Sequence, residues 1–142
     1  MRKLCDTLRR AIELSGLRDG MTISFHHHLR NGDYVLNMVL QEVARMGLRD
    51  LTVNASALFD CHEPLIGQIQ SGVVTGLETD YMSSVLGSAI SRRVLESPVL
   101  FRSHGTRPAD ILSDRSRIDV AFIAAPTADP MGNCSGKYGP SA

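Results

Sequence analysis

Apolar residues recur along this chain with two different spacings, and the switching between them predicts the fold class. Leu4, Leu8, Ile12 and Leu14 keep helical spacing among Arg and Glu residues, and Gly16 is placed to stop that helix. Residues 21–25 then form a short run rich in strand formers. Asp33 is placed as the N-cap of a helix over 34–46, on which Val35, Val39, Val43 and Met46 share one face and after which Gly47 ends the run. The pattern continues with a strand over 51–55, a helix over 62–70 with Leu65, Ile66 and Ile69 inward, a break at Ser71-Gly72 and a strand beginning over 73–75. A helix over 84–94, a strand over 99–101, a short helix over 108–112 and a strand over 120–124 complete it.

Strands and helices therefore alternate at roughly 25-residue intervals, the mark of repeated βαβ units. The expected fold is α/β: a mainly parallel sheet of about five strands flanked by helices in a Rossmann-like three-layer arrangement. Both faces of its strands are expected to be apolar, and its crossovers right-handed. No low-complexity linker or charge run divides the chain, so residues 1–142 read as a single α/β domain. After Ala125-Pro126 come the turn signals Gly132-Asn133, Gly136 and Gly139-Pro140, and the sequence stops among them. The domain is accordingly expected to be incomplete at its C-terminus.

Size and charge narrow the function. A chain of 142 residues suffices for one core but not two. Fifteen Lys plus Arg balance fifteen Asp plus Glu, which argues against a nucleic-acid or anionic-membrane binder. No apolar run approaches a bilayer span and the N-terminus lacks a signal-peptide core, so a cytoplasmic location is expected. Cys5, Cys61 and Cys134 are far apart, odd in number and without a C-x-x-C pair, which argues against disulfides and a cysteine zinc site.

Three polar segments, each following a strand, hold the candidate chemistry. The first is His26-His27-His28-Leu29-Arg30-Asn31-Gly32, between a strand and a helix N-terminus, where an open α/β sheet normally seats its ligand. Backbone N–H groups there, beside Arg30, suit a carboxylate, a phosphate or a developing oxyanion. Adjacent histidines on an extended segment point to opposite faces, so a metal site would need ligands from elsewhere, and no H-x-x-x-H pattern supplies them. A packed, hydrogen-bonded histidine loop and a substrate loop both remain open. The second segment is Arg102-Ser103-His104-Gly105-Thr106-Arg107-Pro108, whose arginines suit an anionic substrate or a solvated loop. The third spans Ala125 to Asn133, where Asp129 serves either the turn backbone or a ligand. Glu78, read as following the third strand, is a nucleophile or base by type and place, although a solvated or ion-paired carboxylate is the commoner state.

Taken in order, these segments resemble the citrate lyase α-subunit family. The resemblance rests on Asp19-Gly20-Met21-Thr22-Ile23-Ser24-Phe25-His26-His27, on Arg30 with Gly32-Asp33, on Asn37-Met38-Val39, on Ser103-His104-Gly105 with Arg107, and on Ile118-Asp119-Val120-Ala121-Phe122. Residues 128–133 also resemble a turn found more widely in CoA transferases. The resemblance implies a CoA-transferase-like domain and citrate CoA-transferase activity, in which an acyl carrier protein or CoA thioester passes from an acetyl group to citrate. It implies citrate and acetyl-CoA or acetyl-acyl carrier protein as substrates, no tightly bound cofactor, no metal, and the other citrate lyase subunits as partners. A homo-oligomer is expected. An oxyanion and thioester-positioning role falls to His26, His27, His28, Arg30, Asn31 and Gly32, and substrate binding to Arg102, His104, Gly105, Arg107, Asp129 and Asn133. The superfamily's nucleophilic glutamate lies in a second half beyond residue 142, so the nucleophile is expected to be absent and the chain inactive alone, with Glu78 the remaining candidate. Thr106 stands where the pattern has glycine, a change expected to stiffen a loop needing positive φ. Two rival readings are a non-catalytic docking piece of the lyase complex and a small-molecule enzyme of the sugar-phosphate isomerase type. The absence of a phosphate loop argues against the latter.

Overall fold

The structure, a computed structural model, describes residues 3–26, 32 and 34–139. Helix α1 (Leu8–Ser15) begins where the Thr7 side chain accepts a hydrogen bond from the Arg10 N–H and ends at Gly16, whose φ of 74° is a left-handed conformation that glycine takes without a Cβ penalty. The cap at Thr7 is why the helix starts four residues later than the apolar spacing suggests. Five strands follow: β1 (Thr22–Phe25), β2 (Leu51–Ala55), β3 (Val74–Thr79), β4 (Leu100–Phe101) and β5 (Val120–Phe122). Between them run α2 (Val35–Arg45), α3 (Leu65–Gln70), α4 (Ser84–Ser91) and α5 (Thr106–Leu112). The expected cap at Asp33 lies outside the described residues. The helix expected over 62–70 is instead a 3-10 turn, Asp60–His62, followed by α3. The turn-rich segment after β5 contains an unforeseen antiparallel hairpin, β6 (Thr127–Ala128) with β7 (Cys134–Ser135). No helix among the described residues is long and apolar enough to cross a membrane.

All five strands of the main sheet are parallel, in the order β4-β3-β2-β1-β5. The chain steps from β1 to β4 in one direction, then returns across the sheet to place β5 beside β1. Right-handed crossovers in one direction put their helices on one face, and the return crossover puts its helix on the other. The packing follows that rule. Ile12 of α1, Leu36, Val39, Leu40 and Val43 of α2, Leu65 of α3 and Leu86 of α4 join Ile23, Phe25, Leu51, Val53 and Leu77 of the strands in one apolar core. A second link on this side is the 2.7 Å ion pair of Arg9 on α1 with Glu42 on α2.

The opposite face is different. Strand register aligns Ala121, Ser24, Asn54, Glu78 and Leu100 in one row across it. The expectation of two apolar faces therefore holds on one side only. Ser24 and Asn54 are buried, yet both are hydrogen-bonded, so the row escapes the cost of an unsatisfied polar group. Helix α5 reaches the middle of this row through Arg107, which bonds Asn54 and Ser24, while Ala121 and Leu100 at the row's ends stay exposed, and the helix buries none of its own residues. It therefore lacks the roughly 1.5–3 kcal/mol that each fully buried aliphatic side chain contributes, and polar contacts hold it instead. Thr106 is the first residue of α5, and among the described non-glycine residues positive φ occurs at Asp50, Arg93 and Asp114, so the expected strain at Thr106 does not arise.

On the same polar face Gly76 is in register with Thr52. A Cβ at position 76 would stand 2.5 Å from Thr52 Oγ1 and 3.2 Å from Thr52 Cβ. Gly76→Ala is expected to cost about 1–3 kcal/mol by overpacking. Thermal unfolding should show a lowered Tm that Thr52→Ala largely restores; an unchanged Tm in the single variant would contradict this spacing of β2 and β3.

Candidate functional site

The first residues past β1, β2 and β3 are His26, Ser56 and Asp80, and the register of those strands makes them the next row at the C-terminal edge of the sheet. The loops carrying Ser56 and Asp80 are tied together, with the Leu58 N–H donating to Tyr81 O and the Ser83 N–H to Leu58 O, both at 2.8 Å. Helix α5 enters beside them. The Ser103 hydroxyl accepts from the Thr106 N–H at 3.0 Å and so fixes its first turn, and Pro108 is tolerated because it lies within that turn. Together these elements enclose a cleft of about 430 Å³ lined by His26, Ser56, Asp80, His104, Arg107 and Pro108. It opens at the carboxyl ends of the strands, beside the β1–β5 junction where the winding reverses, which is the usual ligand position in such sheets.

Two histidines meet there, each on a partner. His26 Nδ1 lies 3.0 Å from Ser56 Oγ. His104 Nδ1 lies 2.7 Å from Asp80 Oδ2; the imidazole is 70% exposed, whereas the Asp80 side chain is only 4% exposed. A buried carboxylate thus orients an exposed ring at the cleft, and the Asp80 Oδ1 atom is itself buried without a hydrogen bond.

The two arginines of the second segment separate sharply. Arg102 is 8% exposed at its side chain and pairs with Glu78 Oε2 at 2.7 Å and Asp110 Oδ2 at 2.8 Å. Burial alone would lower its pKa, but the bonds and charges of Asp110 and Glu78 outweigh that and raise it. Its charge is neutralised internally, so the expected substrate role for Arg102 is not what its surroundings offer. Arg107 is half-buried and held by neutral acceptors, its Nε donating to Asn54 Oδ1 at 2.7 Å and its Nη2 to Ser24 Oγ at 2.8 Å. Burial pulls its pKa below the ordinary arginine value and Arg102 adds to this, while the charges of Asp80 and Glu78 oppose it. Its Nη1 makes no hydrogen bond to a described residue, and Arg107 lines the cleft. A guanidinium in this state suits a carboxylate.

Glu78 lies outside the residues that line the cleft. Its Oε2 accepts from Asn54 Nδ2 at 2.7 Å, Arg102 at 2.7 Å and Ser116 Oγ at 2.8 Å, the environment of an ion-paired structural carboxylate. Gly105 is the exposed residue preceding α5 and Gly32 is exposed, whereas His27, His28, Arg30 and Asn31 lie outside the described residues. Asp129 and Asn133 are not brought to the cleft. Asp129 Oδ1 accepts from the Met131 and Asn133 N–H groups and Oδ2 from Asn133 Nδ2, so the carboxylate organises its own hairpin turn. These bonds, the Asn133 side chain foremost, hold its pKa below the ordinary aspartate value. Residues missed from sequence are Ser24, Asn54, Ser56 and Asp80; Ser56 could have been found as the first residue past the predicted strand over 51–55, whereas Asp80 follows β3 only because that strand continues to Thr79, through the Glu78 position read as lying beyond it. Among the described residues no three His, Cys, Asp or Glu side chains gather as a metal site requires.

The family model for Citrate lyase, alpha subunit (CitF) matches residues 1–142. The chain is 49% identical over 140 residues to a citrate lyase alpha chain from Klebsiella pneumoniae and 47% identical over 138 residues to one from Escherichia coli. These alignments take in 99% and 97% of the chain, but it spans little more than a quarter of those relatives, 28% and 27% of their lengths. A crystal structure described as that of the alpha subunit of citrate lyase from Streptococcus mutans, in complex with citrate, matches 99% of the chain with a TM-score of 0.95 at 48% identity. The chain covers 28% of that protein.

Asp110 provides a pH test of how α5 is anchored. Its hydrogen bond from Arg102, then that from Arg115, lower its pKa from the ordinary aspartate value. A depressed carboxylate contributes stability above its unfolded pKa, about 3.9, and loses it as pH falls through the lower folded value. Asp110→Asn should lower Tm at neutral pH and flatten the loss of Tm below about pH 4; parallel acid limbs in the two proteins would contradict the assignment.

Proposed function

Because the chain belongs to the citrate lyase alpha subunit family, we propose that the cleft between His26, Asp80, His104 and Arg107 is its seat for a carboxylate of citrate. The observation that carries this is the state of Arg107: a half-buried cation with neutral acceptors on two edges, facing a cleft it shares with His104. Burying a cation whose direct partners are neutral is costly, the charges of Asp80 and Glu78 offset only part of that cost, and an anionic ligand relieves more of it. The citrate complex of the Streptococcus mutans relative supports the choice of ligand.

The whole protein's activity is read as passage of an acyl carrier protein or CoA thioester from an acetyl group to citrate. The thioester is then a substrate and not a resident cofactor. His26, beside Ser56 at the end of β1, with His27, His28, Arg30, Asn31 and Gly32 of the same segment, takes the oxyanion and thioester-positioning role. Glu78 is a poor nucleophile in this setting, since three donors engage one of its oxygens. The isolated chain is accordingly read as incompetent for turnover, working in the cytoplasm with other lyase subunits and further copies of itself. A docking role is favoured by the outer edge of the sheet, where both residues of β4 are exposed.

Titration calorimetry with citrate tests the site. Saturable binding is expected, weakened about tenfold or more in Arg107→Ala. Mixing the chain with acetyl-CoA and citrate should give no acyl exchange. Unchanged citrate affinity in Arg107→Ala would remove the cleft from the function, and turnover abolished by Glu78→Gln would make Glu78 the nucleophile after all.

A further inference from the structure

Asn54 sits at the centre of the polar row, 1% exposed, between the acid that has no place in the cleft and the base that lines it. Its Nδ2 donates to Glu78 Oε2 at 2.7 Å and to Ser116 Oγ at 3.1 Å, and its Oδ1 accepts from Arg107 Nε at 2.7 Å. The amide orientation is dictated from both ends. An ionised carboxylate only accepts and a guanidinium only donates, so the flipped amide would oppose oxygen to oxygen and N–H to N–H. Glu78 therefore governs Arg107 through Asn54. Ser24 holds the second edge of the guanidinium, again with a neutral oxygen.

The contrast with Arg102 gives this arrangement its meaning. Arg102 is held as firmly, but by two carboxylates that cancel its charge. Arg107 gains the same kind of geometric restraint from an amide and a hydroxyl, which orient without cancelling. We propose that Asn54 is the positioning residue that sets the anion specificity of the cleft, by aiming the Arg107 guanidinium while leaving its positive charge for the ligand. This rests on the reading of the cleft as a citrate carboxylate seat. An aspartate at position 54 has nearly the same shape, still accepts from Arg107 Nε and sets a negative charge on that edge of the cation. Its second oxygen meets Glu78 Oε2, where Asn54 Nδ2 donates at 2.7 Å, a like-charge contact that the exchange measurement on the wild-type chain avoids.

The test uses the 142-residue chain with citrate as the probe, alongside amide-type exchange of the Arg107 Nε–H followed by NMR before and after citrate. Asn54→Asp should weaken citrate binding by about tenfold or more, whereas Ser24→Ala, which removes one neutral contact, should weaken it only a few-fold. In the wild-type chain the Arg107 Nε–H should exchange slowly already without citrate, a sign of prior positioning that needs no variant to fold. Wild-type affinity in Asn54→Asp, or an Nε–H that exchanges freely until citrate is added, would overturn the proposal. If Arg107→Ala binds citrate as the wild type does, the carboxylate-seat reading fails instead, and slow Nε–H exchange would still mark Asn54 as the residue that holds Arg107.

Discussion

The one reversal in the winding of the sheet decides where everything else can go. Three crossovers carry the chain from β1 to β4 in one direction, and right-handedness stacks α2, α3 and α4 on one face. The return to β5 must then place α5 on the other. With the apolar layer completed on the first face, α5 needs no buried residue of its own and the second face is released from the demand for an apolar lining. Ser24, Asn54 and Glu78 occupy it as one row, and the same crossover that brings α5 over them delivers Arg107 to the carboxyl ends of the strands. Fold and site thus share a cause: the geometry that makes the second face polar also aims a cation at the cleft.

Electrostatics on that face follows a division of labour. Glu78 and Asp110 neutralise Arg102, and Asp110 also holds Arg115, so this side of α5 is clamped by charge pairs. Arg115 is exposed and its pair with Asp110 is open to solvent, whereas the two Arg102 pairs are sheltered, which limits screening, and removing one partner leaves a charge stranded. Arg107 escapes that fate because its direct partners are neutral. Asp80 is the remaining buried acid, and it turns its charge toward His104 at 2.7 Å. The cleft is therefore bounded by a guanidinium whose direct partners are neutral, by the His26 imidazole and by the His104 imidazole backed by Asp80, a pattern that suits an anion bearing several carboxylates.

Much of this was legible from the residues alone. Each main strand and helix was visible because apolar spacing changes between two periods, and only the ends shifted, as when the Thr7 cap delayed α1 or a 3-10 turn replaced the start of a longer helix. His26, His104 and Arg107 were found because they follow strands. What could not be read was register. Ser24, Asn54 and Glu78 look unrelated along the chain and become one row only when β1, β2 and β3 align. Ser56 and Asp80 join the cleft for the same reason. Arg102 and Arg107 share a segment and a charge, and only the identity of their partners tells the neutralised cation from the available one. Asp129 and Asn133 carry ligand-like chemistry that their own turn absorbs.

The most direct measurement is a crystal structure of this chain grown with citrate. A citrate carboxylate seated on the Arg107 guanidinium within the cleft, with Arg107 still held by Asn54 and Ser24 and the Arg102 ion pairs intact, is the expected result. Citrate bound on Arg102 with its pairs to Glu78 and Asp110 broken, or bound away from the cleft, would contradict the account.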